Sequence, residues 1–139
     1  MTDIDIAKAN LEGHSICLCK DGDFFTDDGR GISPMMRFIG ENRDLNGYSA
    51  ADIIVGKAAA MLFVRAGIVS VHGRTMSVSA REFLERHGIA CTFETLTERI
   101  INRQGTDVCP MEKTVVEIED VEDGYRALKT RLEEMKNNK

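Results

Sequence analysis

Nowhere in the 139 residues do cysteines or histidines stand at a metal-ligand spacing such as C-x-x-C or H-x-x-x-H, and His14, His72 and His87 are scattered. A closed zinc site, which gathers four such ligands, is therefore not expected, and no cofactor is implied. A glycine-rich phosphate loop is missing too, since Gly29-Arg30-Gly31 is too short a pattern to count as one. Long apolar runs are equally scarce. The nearest, residues 50–66, is interrupted by Asp52, Lys57 and Arg65, and is too short and too charged to span a bilayer. The opening MTDIDIAKANLEGHS has no basic start followed by an apolar run, so no signal peptide, no membrane partner and a cytoplasmic location are expected. Positive charge is not in excess: 18 Lys and Arg against 23 Asp and Glu give a formal net charge of −5. Such a chain lacks the basic face with which a protein neutralises duplex nucleic acid. A nucleotide-sized ligand, held by one or two basic groups, stays open.

What is present fits one globular domain over residues 1–139. Hydrophobic residues make up 42% and charged residues 29%, enough for a single core at this length. In a cytoplasmic protein, Cys17, Cys19, Cys91 and Cys109 read as thiols rather than a disulfide framework. Cys17 and Cys19, two apart in an apolar run, suit one face of a strand and core packing.

Residues 3–11 suit a short helix and residues 15–20 a strand. Asp21-Gly22 is a hairpin signal that returns residues 23–26 antiparallel. Ser33-Pro34 marks a helix start, with serine as cap and proline at the first position. Ser49 is then expected to cap a helix over residues 50–66, closed by Gly67 and apolar on nearly every side, hence covered on more than one face. Residues 68–72 alternate as a strand, Ser79 is expected to cap a helix through Arg86, and residues 89–93 form a further strand. Pro110 starts another helix, and Asp120 caps an amphipathic one carrying Val121, Tyr125, Leu128 and Leu132. This order predicts an α/β fold, a three-layer α-β-α sandwich with a mixed sheet. In such sheets, sites gather at strand carboxyl ends and helix N-termini.

Residues 101–113 (INRQGTDVCPMEK) hold the densest group of functional residue types. With Cys109 as N-cap and Pro110 as first helical residue, free N–H groups and the helix dipole both favour thiolate over thiol. A thiolate is a nucleophile, and Glu112, one turn on, is a candidate general acid or base. The same pattern also fits an inert cysteine at a tight turn. Lys57, amid apolar neighbours, must reach solvent, pair with a carboxylate such as Asp52, or face a cavity. Gly56 costs a helix about 1 kcal/mol relative to alanine, which makes sense if a ligand or another backbone packs closely there. Asn102 and Arg103 suit an anionic or amide-bearing ligand, and equally suit loop hydrogen bonding and solvent.

The segments V-G-K-A-A-A (residues 55–60), I-N-R-Q-G-T (101–106) and C-P-M-E-K (109–113) resemble a small prokaryotic family of unknown function whose fold is related to that of the cytidine deaminases. The resemblance runs from the first hairpin to about Ile118. It implies a cytidine deaminase-like sandwich in which the helix over 50–66 matches the one that carries the first catalytic motif in deaminases. Zinc deaminases use H/C-x-E there and P-C-x-x-C on a later helix. Here Val55-Gly56-Lys57 and a single Cys109 stand instead, so zinc-dependent deamination is not expected. What the resemblance leaves is a cleft for a nucleotide-like or other small polar ligand, with Lys57, Cys109 and Glu112 as catalytic candidates. Asp52, Gly56, Asn102, Arg103, Thr106, Pro110 and Met111 are then candidates for ligand binding. Three functions fit: an enzyme with Cys109 as nucleophile, a non-catalytic binding or regulatory module, and an interaction protein. In the last, the apolar helix and Met35, Met36 and Met61 would partly serve a homodimer interface.

Overall fold

Asp21 and Gly22 both adopt positive φ, 53° and 85°, the turn geometry whose twist matches that of a two-stranded ribbon. In the computed structural model of the protein, which describes residues 1–137, this turn joins β1 (Ile16–Lys20) to β2 (Asp23–Asp27) in antiparallel register, Ile16 opposite Asp27. Ahead of it, α1 (Asp3–Ala9) starts with a reciprocal cap between Thr2 and Asp5. The Asp3 carboxylate accepts the N–H groups of Asp21 and Gly22 at 2.9 and 3.0 Å, pinning the helix start to the hairpin turn.

Pro34 sits in the first turn of α2 (Ser33–Gly40), as its missing N–H allows. Ser33 is itself the first helical residue, and its hydroxyl donates to the Arg30 carbonyl rather than capping the helix.

The main departure from expectation lies in residues 50–66. They form a strand and a helix, β3 (Ser49–Val55) and α3 (Lys57–Ala66), with Gly56 as the N-cap between them. A strand at the centre of a sheet is covered on both faces and reads as an unbroken apolar run, which periodicity alone does not separate from a buried helix. The β-branched triplet Ile53-Ile54-Val55 followed by glycine is the local sign of a strand that ends. Asp52 therefore stands on the strand and Lys57 on the helix. Gly67, with φ 82°, closes α3 as expected.

The chain continues through β4 (Ser70–Ser77), α4 (Val78–Arg86) and β5 (Ala90–Thr97), each strand several residues longer than its apolar segment. Ser77, not Ser79, caps α4: its hydroxyl accepts the Ala80 N–H at 3.1 Å. A polar segment then leads to α5 (Pro110–Val115) and α6 (Val121–Asn137).

The five strands make one mixed sheet in the order β2-β1-β3-β4-β5, with β3, β4 and β5 parallel and β1 antiparallel to both neighbours. Two unequal cores flank it. The smaller holds Ala7 and Leu11 against Cys17, Cys19 and Ala51, so both cysteines lie fully buried on one strand face. The larger gathers Leu62 and Phe63 of α3, Phe83 of α4, Val115 of α5 and Leu128 of α6. Met35 and Met61 are buried in this same core and so face the chain's own interior, not a partner. Helices thus cover both faces, α1 alone on one side and the remainder on the other. Among the described residues no helix is long and apolar enough to cross a membrane.

Candidate functional site

Three parallel strands end side by side at Val55, Ser77 and Thr97, and the chain leaves each at the same edge of the sheet. A cleft of about 590 Å³ opens over these ends, walled by Lys57 of α3, Ser77, Ser79 and Arg86 around α4, residues 98–100 after β5, and Glu112 of α5. The position follows from the topology, since strand carboxyl ends are where loops diverge and helix N-termini point.

Glu112 reaches across from α5 to the start of α3. Its Oε1 accepts the Lys57 N–H at 2.8 Å and its Oε2 the Ala58 N–H at 3.0 Å. A carboxylate is thereby set on the unsatisfied N–H groups and positive dipole end of the central helix, a cap supplied from 55 residues downstream. Gly56 makes room for it: a Cβ there would stand 2.5 Å from the carboxyl carbon. The close approach expected at Gly56 is therefore that of a side chain of the same protein. Burial raises the pKa of Glu112 above the ordinary glutamate value, while the two N–H groups and the Lys57 charge pull it back.

Lys57 is 8% exposed at its side chain and turns its ammonium into the cleft wall, 3.2 Å from the Val116 carbonyl and 3.4 Å from Glu119 Oε1. Its Nζ also lies 5.9 Å from the centre of the Phe83 ring. Of the outcomes open to it, pairing with a carboxylate and facing a cavity are both realised, but the carboxylate is Glu119 rather than Asp52. Arg86 Nη2 meets the other oxygen of Glu119 at 3.2 Å. On the α4 side, the Ser77 and Ser79 hydroxyls lie 3.2 Å apart.

The structure thus brings Lys57, Gly56 and Glu112 together and sets the other candidates apart from the cleft. Cys109 occupies the N-cap position of α5, yet its thiol makes no hydrogen bond to the helix N–H groups, and it packs half-buried against the larger core. Pro110 is the first residue of that helix, which has six residues, and Met111 is a core residue. Asn102 ties its own loop together: its Oδ1 accepts the Thr106 N–H at 3.0 Å and its Nδ2 donates to the Thr106 hydroxyl at 3.2 Å. Arg103 is exposed. Asp52 is buried in β3, where it accepts the Ile54 N–H at 3.4 Å and where burial pushes its pKa up to about 7.

Ser77, Ser79, Arg86, Arg99 and Glu119 line the cleft and were not expected there. The two serines carry a signal at the strand-to-helix junction. Arg86, Arg99 and Glu119 carry none, since each is an ordinary surface charge until the fold turns it inward. Among the described residues, no group of three or more His, Cys, Asp or Glu side chains is placed to hold a metal ion.

Residues 7–132 match the family described as a domain of unknown function, DUF1893. The crystal structure of a DUF1893 family protein from Thermotoga maritima superposes with a TM-score of 0.76 at 23% identity, covering 84% of this chain and 80% of that one, which shows the shared fold. A diaminohydroxyphosphoribosylaminopyrimidine deaminase/5-amino-6-(5-phosphoribosylamino)uracil reductase from the same organism matches at 20% identity with a TM-score of 0.41, over 65% of this chain and 33% of that one. A likeness that slight carries no functional argument. No curated protein matches the chain in sequence.

Proposed function

The chain belongs to the DUF1893 family, and on that premise, which brings a fold and no reaction, we propose that it binds a small polar ligand of nucleotide-like size in the cleft over the ends of β3, β4 and β5. Lys57 is the observation that carries this. An ammonium group withdrawn from water is costly unless it is well paired, and its carboxylate partner here is an exposed side chain 3.4 Å away. A cleft wall with such a cation, two serine hydroxyls and the half-buried Glu112 carboxylate is equipped to orient a polar molecule by hydrogen bonds. Glu112 is already engaged by the start of α3, so it acts as a fixed acceptor and a positioning group for Lys57.

Catalysis through Cys109 is the second reading. It is favoured by the thiol's place at the first turn of the helix that delivers Glu112 to the cleft. A covalent role requires Cys109 to be both accessible and needed for turnover, and Cys109→Ser tests the latter directly.

The binding reading is tested by thermal unfolding against a panel of nucleosides, nucleotides, amino acids and sugar phosphates, with Lys57→Met as control. One chemical class is expected to stabilise the protein, by about 2.7 kcal/mol at a hundredfold excess over Kd, visible as a rise of several degrees in Tm. The rise should vanish in Lys57→Met. No stabilising class, or a rise that persists in the variant, rejects the proposal.

A further inference from the structure

Two cations of the cleft converge on one solvent-exposed carboxylate. Glu119, between α5 and α6, sets Oε1 3.4 Å from Lys57 Nζ and Oε2 3.2 Å from Arg86 Nη2. The partners differ sharply in exposure: 8% for the Lys57 side chain against 65% for Glu119 and 53% for Arg86. A pair formed at the surface contributes little and is readily exchanged. A buried ammonium, by contrast, needs an anion beside it. Glu112, whose oxygens accept the Lys57 and Ala58 N–H groups, forms no ion pair with the Lys57 ammonium, and among the described residues Glu119 is the carboxylate that does. Glu119 is therefore the group that neutralises Lys57, and the hold on it comes from its own exposed end. Arg99, a further cleft residue, forms no ion pair among the described residues.

We propose that Lys57 and Arg86 are the anion subsite of the cleft and that Glu119 is its displaceable internal occupant. Resting on the binding reading above, this assigns the ligand a class: it carries an oxyanion, a carboxylate or a phosphate, that takes the place of the Glu119 carboxylate. The exchange keeps Lys57 neutralised and returns Glu119 to water, where an already exposed carboxylate is readily hydrated. Competition from Glu119 also sets a threshold, so that an anion without further contacts in the cleft binds weakly and a ligand that also uses Ser77, Ser79 or Arg99 binds well.

The test is a titration of the full chain with inorganic phosphate and, separately, with acetate, at constant ionic strength. The readout is the NMR shifts of the Arg86 side chain and of the Lys57 and Ala58 amides. Removing the competitor in Glu119→Gln should tighten binding about three- to tenfold, the range expected for loss of one or two ion pairs made by an exposed carboxylate. Arg86→Gln, at a half-exposed position that leaves the core untouched, should weaken it by a similar factor. Tightening with phosphate alone assigns a phosphate-bearing ligand, and tightening with acetate alone a carboxylate-bearing one. If neither anion gains affinity in Glu119→Gln, or if Arg86→Gln binds both as the natural protein does, the subsite is wrong. A cleft ligand from the metabolite panel whose affinity ignores Glu119→Gln overturns the subsite while leaving the binding reading intact. A panel with no hit, beside phosphate that tightens in Glu119→Gln, does the reverse.

Discussion

Replacing Gly56 by alanine adds one methyl group and strikes the contact on which the cleft is built. The backbone there, φ −97° and ψ −178°, is open to any residue, so alanine brings no torsional strain. On that ground alone the substitution should stabilise the protein, by about 0.4–1 kcal/mol, through a less flexible unfolded chain. Space decides otherwise. The new Cβ would lie 2.5 Å from the carboxyl carbon and Oε1 of Glu112 and 2.6 Å from Oε2, far inside contact distance. Glu112 is mostly buried and fixed by its helix, so it must leave the start of α3, breaking charge-assisted bonds of 2.8 and 3.0 Å. Hydrogen bonds to a charged group contribute about 1.5–3 kcal/mol each, and water recovers part of this at the reopened cleft. The expected net loss is about 2–4 kcal/mol, measured by urea unfolding at pH 7. A double-mutant cycle isolates the cause: in a Glu112→Ala background the same change should cost under about 0.5 kcal/mol, since the obstacle is gone. A Gly56→Ala protein as stable as the natural one, or a cost that persists without Glu112, would refute this account of the site.

Two further outcomes are expected. Asp52, with its pKa raised from 3.8 to about 7 by burial, favours its protonated form in the folded state. Its contribution to stability is thus complete below about pH 4 and is lost as pH rises through about 7, at most roughly 4 kcal/mol by linkage. Asp52→Asn should flatten the stability profile over that window, leaving a smaller slope of the same sign from Glu112, whose pKa burial also raises; parallel profiles would contradict it. For the thiols, burial raises Cys17 to about 11 and raises Cys19 and Cys91 as well, while Cys17 and Cys19 have no exposed surface. Alkylation of the native protein, followed by mass spectrometry, should therefore reach half-buried Cys109 first and Cys17 and Cys19 only on unfolding. Equal rates at Cys17 and Cys109 would count against the burial described here.

Local chemistry carried much of the fold into the sequence. Asp21-Gly22, Ser33-Pro34, Gly67 and the periodic apolar residues of α6 each mark a turn or helix with residues whose own backbone preferences act there. Residues 50–66 misled because a doubly covered strand and a buried helix share one apolar signature, and only the β-branched triplet ahead of Gly56 and the glycine itself divide them. That glycine was legible as a point of close approach, though not as the place where a carboxylate from another element lands. Lys57 was legible as a charge amid apolar neighbours, and Glu112 as a carboxylate at a proline-marked helix start in a polar segment. Asn102, Arg103 and Thr106 were polar in the way any self-bonded loop is polar, so sequence alone had nothing to set them apart from a site. Arg86 and Glu119 were invisible for the opposite reason, since only tertiary packing joins residues 33 positions apart.

The bond from Glu112 to the start of α3 also ties the last part of the chain to its centre. All five strands of the sheet and the whole of α3 are complete by residue 97, yet the first N–H groups of α3 take their acceptor from residue 112. Without that acceptor the central helix would be left bare at one end. The last quarter of the sequence thus acts as a latch: it closes the open end of α3, fills the larger core with Val115 and Leu128, and completes the cleft wall.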